Sequence, residues 1–192
     1  MQAGLLRREL LPFALILCAL AGAALLVDAL LLRFDAARIV RYLGIPGTLL
    51  ILASFGYSLR KRKAIQLGRP AQWLRLHEWL AWLGSVLVLV HTGIHFNAML
   101  GWLAAGAMLI NVISGLTGKL LLDRSRRHLE QARRQLREQG LSGPQLEERM
   151  YWDSLTFDVV KQWRVIHLPI TLAFAALATA HISAELLFWS WK

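Results

Sequence analysis

LRLHEWLAWLGSVLVLVHTGIHF, residues 74–96, is an apolar run that carries His77 and His91 fourteen residues apart. The chain repeats that interval at His167 and His181, inside a second apolar run. Fourteen residues make about four turns of α-helix, so each pair shares one helix face with its members about 21 Å apart along the axis. Ionisable groups are costly inside membrane-length apolar helices, and their presence there points to function.

The surrounding composition fits such helices. The 192 residues are 56% hydrophobic, and the mean hydropathy is positive, too apolar for an ordinary soluble domain. A net charge of +10 would by itself allow nucleic-acid binding, but the basic residues sit between long apolar runs and not on one soluble face. Nucleic acid is therefore not an expected partner, and the lipid bilayer is. Cys18 is the single cysteine, which excludes an internal disulfide, a C-x-x-C-H haem attachment and a cysteine-ligated cluster.

Working outward from the histidine helix, five spans are expected, at about 9–32, 44–59, 72–97, 99–122 and 158–189. The first follows Arg7 and Arg8 and has small residues at 21–24, as a secretory signal would, but it is too long for a signal core and reads as a retained spanning helix. The second has Pro46 near its start, where a helix tolerates it, and stops at the basic run 60–63. Almost nothing separates the third from the fourth, which makes them antiparallel neighbours. Beyond the fourth, DRSRRHLEQARRQLREQ at 123–139 continues helically but strongly charged, until Gly140, Gly143 and Pro144 break it. Residues 123–150 are expected to form a cytoplasmic helical extension.

The positive-inside rule orients these spans. With the N-terminus inside, eighteen of the 22 Lys and Arg residues fall on the inner side, and only Arg33, Arg38, Arg41 and Lys192 on the outer. The third and fifth spans then run the same way, which sets His77 opposite His167 near the inner surface and His91 opposite His181 near the outer one. Each pair can supply both axial ligands of one haem iron, leaving no open coordination position. Gly84 lies seven residues from both His77 and His91 and would let a porphyrin or a neighbouring side chain approach, while Phe174 lies seven from both His167 and His181. Ser114, Gly115 and Gly118 form a further small-residue face, of a kind also common where membrane helices pack closely.

The two H-x13-H segments, LHEWLAWLGSVLVLVH and IHLPITLAFAALATAH, resemble those of di-haem transmembrane b-type cytochromes, including the haem-bearing part of the cytochrome bc family and the ferric-reductase-like membrane domains. The likeness covers the third to fifth spans, and the first two by hydropathy only. It implies an all-α fold, a polytopic membrane helical bundle of about five transmembrane helices with a four-helix haem-binding core. It also implies two haem b with His77, His91, His167 and His181 as iron ligands; the expected place is the bacterial inner (cytoplasmic) membrane, where the lysine and arginine count puts the C-terminus outside. The chain departs from the group in lacking a flavin- or nicotinamide-binding domain, a G-x-G-x-x-G stretch and a P-E-W-Y quinol motif, so an independent NADPH-driven reductase is not expected.

The remaining charged and aromatic residues divide by side. Arg75, Lys161 and Arg164 near the inner rung suit haem propionates or simply anchor the helices at the surface. Trp73, Trp79, Trp163, Trp189 and Trp191 fit interfacial belts. One turn beyond the outer histidines stand His95 and Glu185, which with Asp28 could take protons from a quinol. The expected function is electron transfer between a quinone pool and a partner such as a cytochrome c, an iron–sulfur protein or a dehydrogenase, as the electron-transfer subunit of an oxidoreductase complex. The competing readings are a metal-ion or proton transporter or sensor built on the histidines, and a membrane anchor with no redox role.

Overall fold

The computed structural model describes residues 2–64, 66–93, 99–141, 143–150 and 163–188, with side chains described outside 2–10, 37 and 164. No strand occurs among them, and the protein is all-α. The helices are α1 (Gln2–Arg33), α2 (Ala37–Tyr42), α3 (Gly44–Ser54), α4 (Gly56–Lys61), α5 (Pro70–Thr92), α6 (Met99–Glu138), α7 (Pro144–Arg149) and α8 (Trp163–Phe188).

Among the described residues, five segments are long and apolar enough to cross a membrane: Leu11–Arg33, Arg38–Lys61, Pro70–Thr92, Met99–Glu138 and Val165–Phe188. Their outward faces carry leucine where a soluble protein carries charge. Leu25 and Leu26 of α1 are 70% and 62% exposed, and Leu186 of α8 is 74% exposed, surfaces that hydrocarbon and not water would solvate. The chain is an integral membrane protein with several spans.

The second span departs most from expectation, since it starts at Arg38 and not at 44. Gly44 and Pro46 mark a joint inside the span and not its beginning. Proline has no N–H to give to the preceding turn, and the Leu43 N–H reaches back only three residues, to the Val40 carbonyl at 3.2 Å. A second joint falls at Phe55. There the Ser54 hydroxyl bonds the Ile51 carbonyl at 2.6 Å, a local competitor for the helical ladder, and the Phe55 N–H again reaches back three residues, to Leu52.

Helix ends elsewhere follow their residues. Pro70 opens α5 at the first helical position, and the Gln72 side chain accepts the Arg69 N–H at 3.2 Å. That helix ends at Thr92, short of the expected 97, and residues 94–98 lie outside those described. The charged run 123–138 is helical, as its sequence suggests, and belongs to α6. It stops at Gly140, whose φ of +84° suits glycine, with the Leu141 N–H returning to the Leu136 carbonyl.

The helices group into two compact units, residues 1–112 with 174–192, and residues 113–173. In the first, Leu20 and Ala24 of α1 meet Val40 of α2 and Val86 and Val90 of α5, while Ile51, Met108 and Phe174 form a second buried cluster. The closest approach in it joins α3 and α5, which run antiparallel through a glycine pair. A Cβ on Gly84 would stand 2.7 Å from Ile51 Cγ1 and 2.8 Å from the Gly47 carbonyl oxygen, and one on Gly47 would meet Val88 Cγ2 at 2.9 Å and the Gly84 carbonyl at 3.1 Å. Of the two approaches that Gly84 would allow, a porphyrin or a neighbouring side chain, the structure shows the second, with Ile51 and the Gly47 backbone against it. In the second unit, Leu146 and Met150, at the two ends of the α7 turn, are buried.

Candidate functional site

In the first unit, His91 of α5 and His181 of α8 line one cavity of about 460 Å³. Its walls are mostly small or apolar, with Gly44, Gly101, Ala104, Ala105 and Ala178 leaving the space and Phe174 closing one side. Glu185, one turn beyond His181, and Arg41 of α2 also reach the wall, and both side chains are exposed. Pockets that hold cofactor-sized molecules run from roughly 300 to 1,000 Å³. Two imidazoles in a largely apolar wall could hold a flat iron-bearing cofactor of that size.

Two contacts help to locate the His91 ring. Its Nδ1 lies 3.3 Å from the Val40 carbonyl oxygen, and a Cβ added to Gly44 would fall 2.8 Å from its Cδ2 and 3.0 Å from its Nε2. Only glycine at position 44 lets the ring lie flat against the second span. Gly44→Ala is expected to push the ring off the Val40 carbonyl and to cost about 1–3 kcal/mol, as overpacking does. Gly22→Ala, where nothing lies within 4 Å of the new Cβ, should be near neutral, and thermal unfolding in detergent compares the two.

His77, also in the first unit, repeats the arrangement. Its Nδ1 is 3.0 Å from the Ser54 carbonyl oxygen, and its ring is tilted against Tyr57 with centroids 5.9 Å apart. Nearby, Trp73 packs on Gly56 and donates its Nε1–H to the Leu67 carbonyl at 2.8 Å. Arg75 is exposed. In the second unit, His167 of α8 lies with its Nδ1 3.3 Å from the Ser114 hydroxyl and its Cε1 3.3 Å from the position a Gly115 Cβ would take. Trp163 packs on Gly118 and donates to the Ser114 carbonyl at 2.8 Å, so it is tied to a helix and not only placed in a belt. The small face of the fourth span therefore receives a histidine and a tryptophan.

Of the other expected residues, Asp28 is not in the wall of the cavity that Glu185 reaches, and its Oδ1 is buried on α1 without a hydrogen-bond partner among the described residues. His95, Lys161 and the Arg164 side chain lie outside what the structure describes, as do Trp189 and Trp191. Arg41, Gly44 and the carbonyls of Val40 and Ser54 were not foreseen. The first two were set outside the second span or at its start, and a backbone acceptor leaves no side-chain signature.

Comparison with protein-family models, with curated proteins and with solved structures gave no match.

Proposed function

We propose that this protein is a membrane-embedded di-haem cytochrome b that carries electrons across the bilayer between a quinone pool and a partner redox protein. The observation that carries the reading is the cavity walled by both His91 and His181, with the His91 Nδ1 against a backbone carbonyl. Metal-bound histidines characteristically hold their second nitrogen in this way. A haem b held there would supply one-electron exchange. His91 and His181 would be its ligands, and Arg41 would be a cation for a propionate. A second haem is proposed from the sequence alone, on the repeated fourteen-residue interval that gives His77 and His167, with Arg75, Lys161 and Arg164 as propionate partners.

A free metal ion is usually held by at least three protein ligands, and no group of three His, Cys, Asp or Glu that could hold one occurs among the described residues. A haem asks for only one imidazole from each side. The test is purification from a haem-replete host. Two b haems per chain with a low-spin reduced spectrum are expected, and a colourless protein that binds zinc or copper would replace this reading with a transport one.

Glu185 gives the cavity a proton acceptor beside the outer ligand, and His95 is its proposed companion for quinol oxidation or quinone reduction. Glu185→Gln is expected to slow quinol-driven haem reduction about 100-fold, in the range typical of a positioned acid or base, with dithionite reduction unchanged. An unaltered quinol rate would remove Glu185 from the site. The proposed orientation, with the N-terminus in the cytoplasm of a bacterial cell and the outer cavity on the far side, follows the lysine and arginine distribution.

A further inference from the structure

The joints in the second span fall where the histidines of α5 need oxygen atoms. In an unbroken helix the Ser54 carbonyl would accept the Ser58 N–H, but that N–H goes to Phe55 at 2.8 Å, and Ser54 faces His77 Nδ1 at 3.0 Å. At the other joint the Val40 carbonyl accepts Leu43, one residue short of the helical partner, at 3.2 Å, and meets His91 Nδ1 at 3.3 Å. Val40 and Ser54 each lie seven residues from Gly47, as His91 and His77 each lie seven from Gly84. The glycine pair thus fixes the register of two antiparallel helices so that two carbonyls and two imidazoles meet at matching heights.

We infer that the broken second span is a positioning element for both α5 histidines: its joints free the Ser54 carbonyl of its helical donor and leave the Val40 carbonyl, bonded to Leu43, a second lone pair, and these two oxygens hold each ring with the proton on Nδ1 and the lone pair on Nε2. A carbonyl oxygen only accepts, so the proton in each contact belongs to the imidazole. The ring that results is oriented before any metal binds, and the bond makes Nε2 a stronger donor. The ring form is a property of the chain itself. The strengthened ligation rests on the haem reading given above.

The two parts separate in one set of measurements on the full chain in nanodiscs. In haem-free protein labelled with 15N-histidine, His77 and His91 are expected to show protonated Nδ1 and unprotonated Nε2. Protonated Nε2 at either residue overturns the inference, and no variant is needed to see it. Replacing Phe55 by phenyllactic acid turns the Ser54 carbonyl into an ester, a weaker acceptor. The His77 Nδ1 proton should then move upfield while that of His91 stays, and capture of haem by excess apomyoglobin should reveal an affinity about 10–100-fold lower at one of two sites. Lactic acid at position 53 makes the same backbone change away from both rings and should do neither. An Nδ1 proton signal of His77 indifferent to the ester at 55 also overturns the inference. A colourless chain whose rings still carry the proton on Nδ1 removes the haem reading and leaves the positioning one standing.

Discussion

His91→Ala is expected to reduce the haem content from two per chain to one, and His181→Ala to do the same. Both rings wall the same cavity, so either loss leaves the remaining imidazole facing alanine across a mostly apolar space whose described lining offers iron no other imidazole. Glu185, one turn further on, is a poor substitute, because a carboxylate beside an apolar wall favours neither low-spin iron nor burial. A pyridine haemochrome count per chain measures the effect, and the surviving haem should keep a low-spin spectrum. His128→Ala, in the exposed charged part of α6, is the control and should leave two. If the His91 variant retains both haems with unchanged spectra, the cavity is not a haem site.

Gly84→Leu is expected to be the most damaging change to the fold itself. The first added carbon would already lie 2.7 Å from Ile51 Cγ1 and 2.8 Å from a backbone oxygen of Gly47, and backbone cannot turn aside as a side-chain tip can. The cost should exceed the roughly 1–3 kcal/mol usual for overpacking, because α3 and α5 must separate along their length. As they part, the Val40 and Ser54 carbonyls move off His91 and His77 together, so haem retention and thermal stability should fall in step. Gly22→Leu, on a face of α1 with nothing within 4 Å, meets only lipid and should change neither. Equal behaviour of the two variants in a detergent melt would show that the glycine contact does not hold the pair.

How much of this was legible beforehand varies with the kind of signal. The histidine spacing was readable because it reflects a helical period, and period survives in sequence. Gly84 is legible as a place of close approach but its partner is not: a missing side chain announces that something comes close without saying whether it is a porphyrin or, as on α3, a neighbouring helix. Gly47, its counterpart, carried no periodic cue, since it stands near Gly44 and Pro46 in what read as the opening of a span. Asp28 and Glu185 looked equivalent as acids near the outer ends of apolar runs. Only the packing tells them apart: Glu185 is in the cavity wall, and Asp28, on α1, is not.

The amino-acid order alone determined that the chain is helical, that it has five membrane-length segments and that four imidazoles stand at two equal intervals, because hydropathy and helical repeat are local properties. Only the packed structure decided that the second span is jointed, that its carbonyls meet the α5 histidines across a glycine contact, and that Arg41 and Glu185 share a cavity with His91 and His181. Those facts concern which atoms of distant residues come within hydrogen-bonding or van der Waals reach, and that depends on how helices cross.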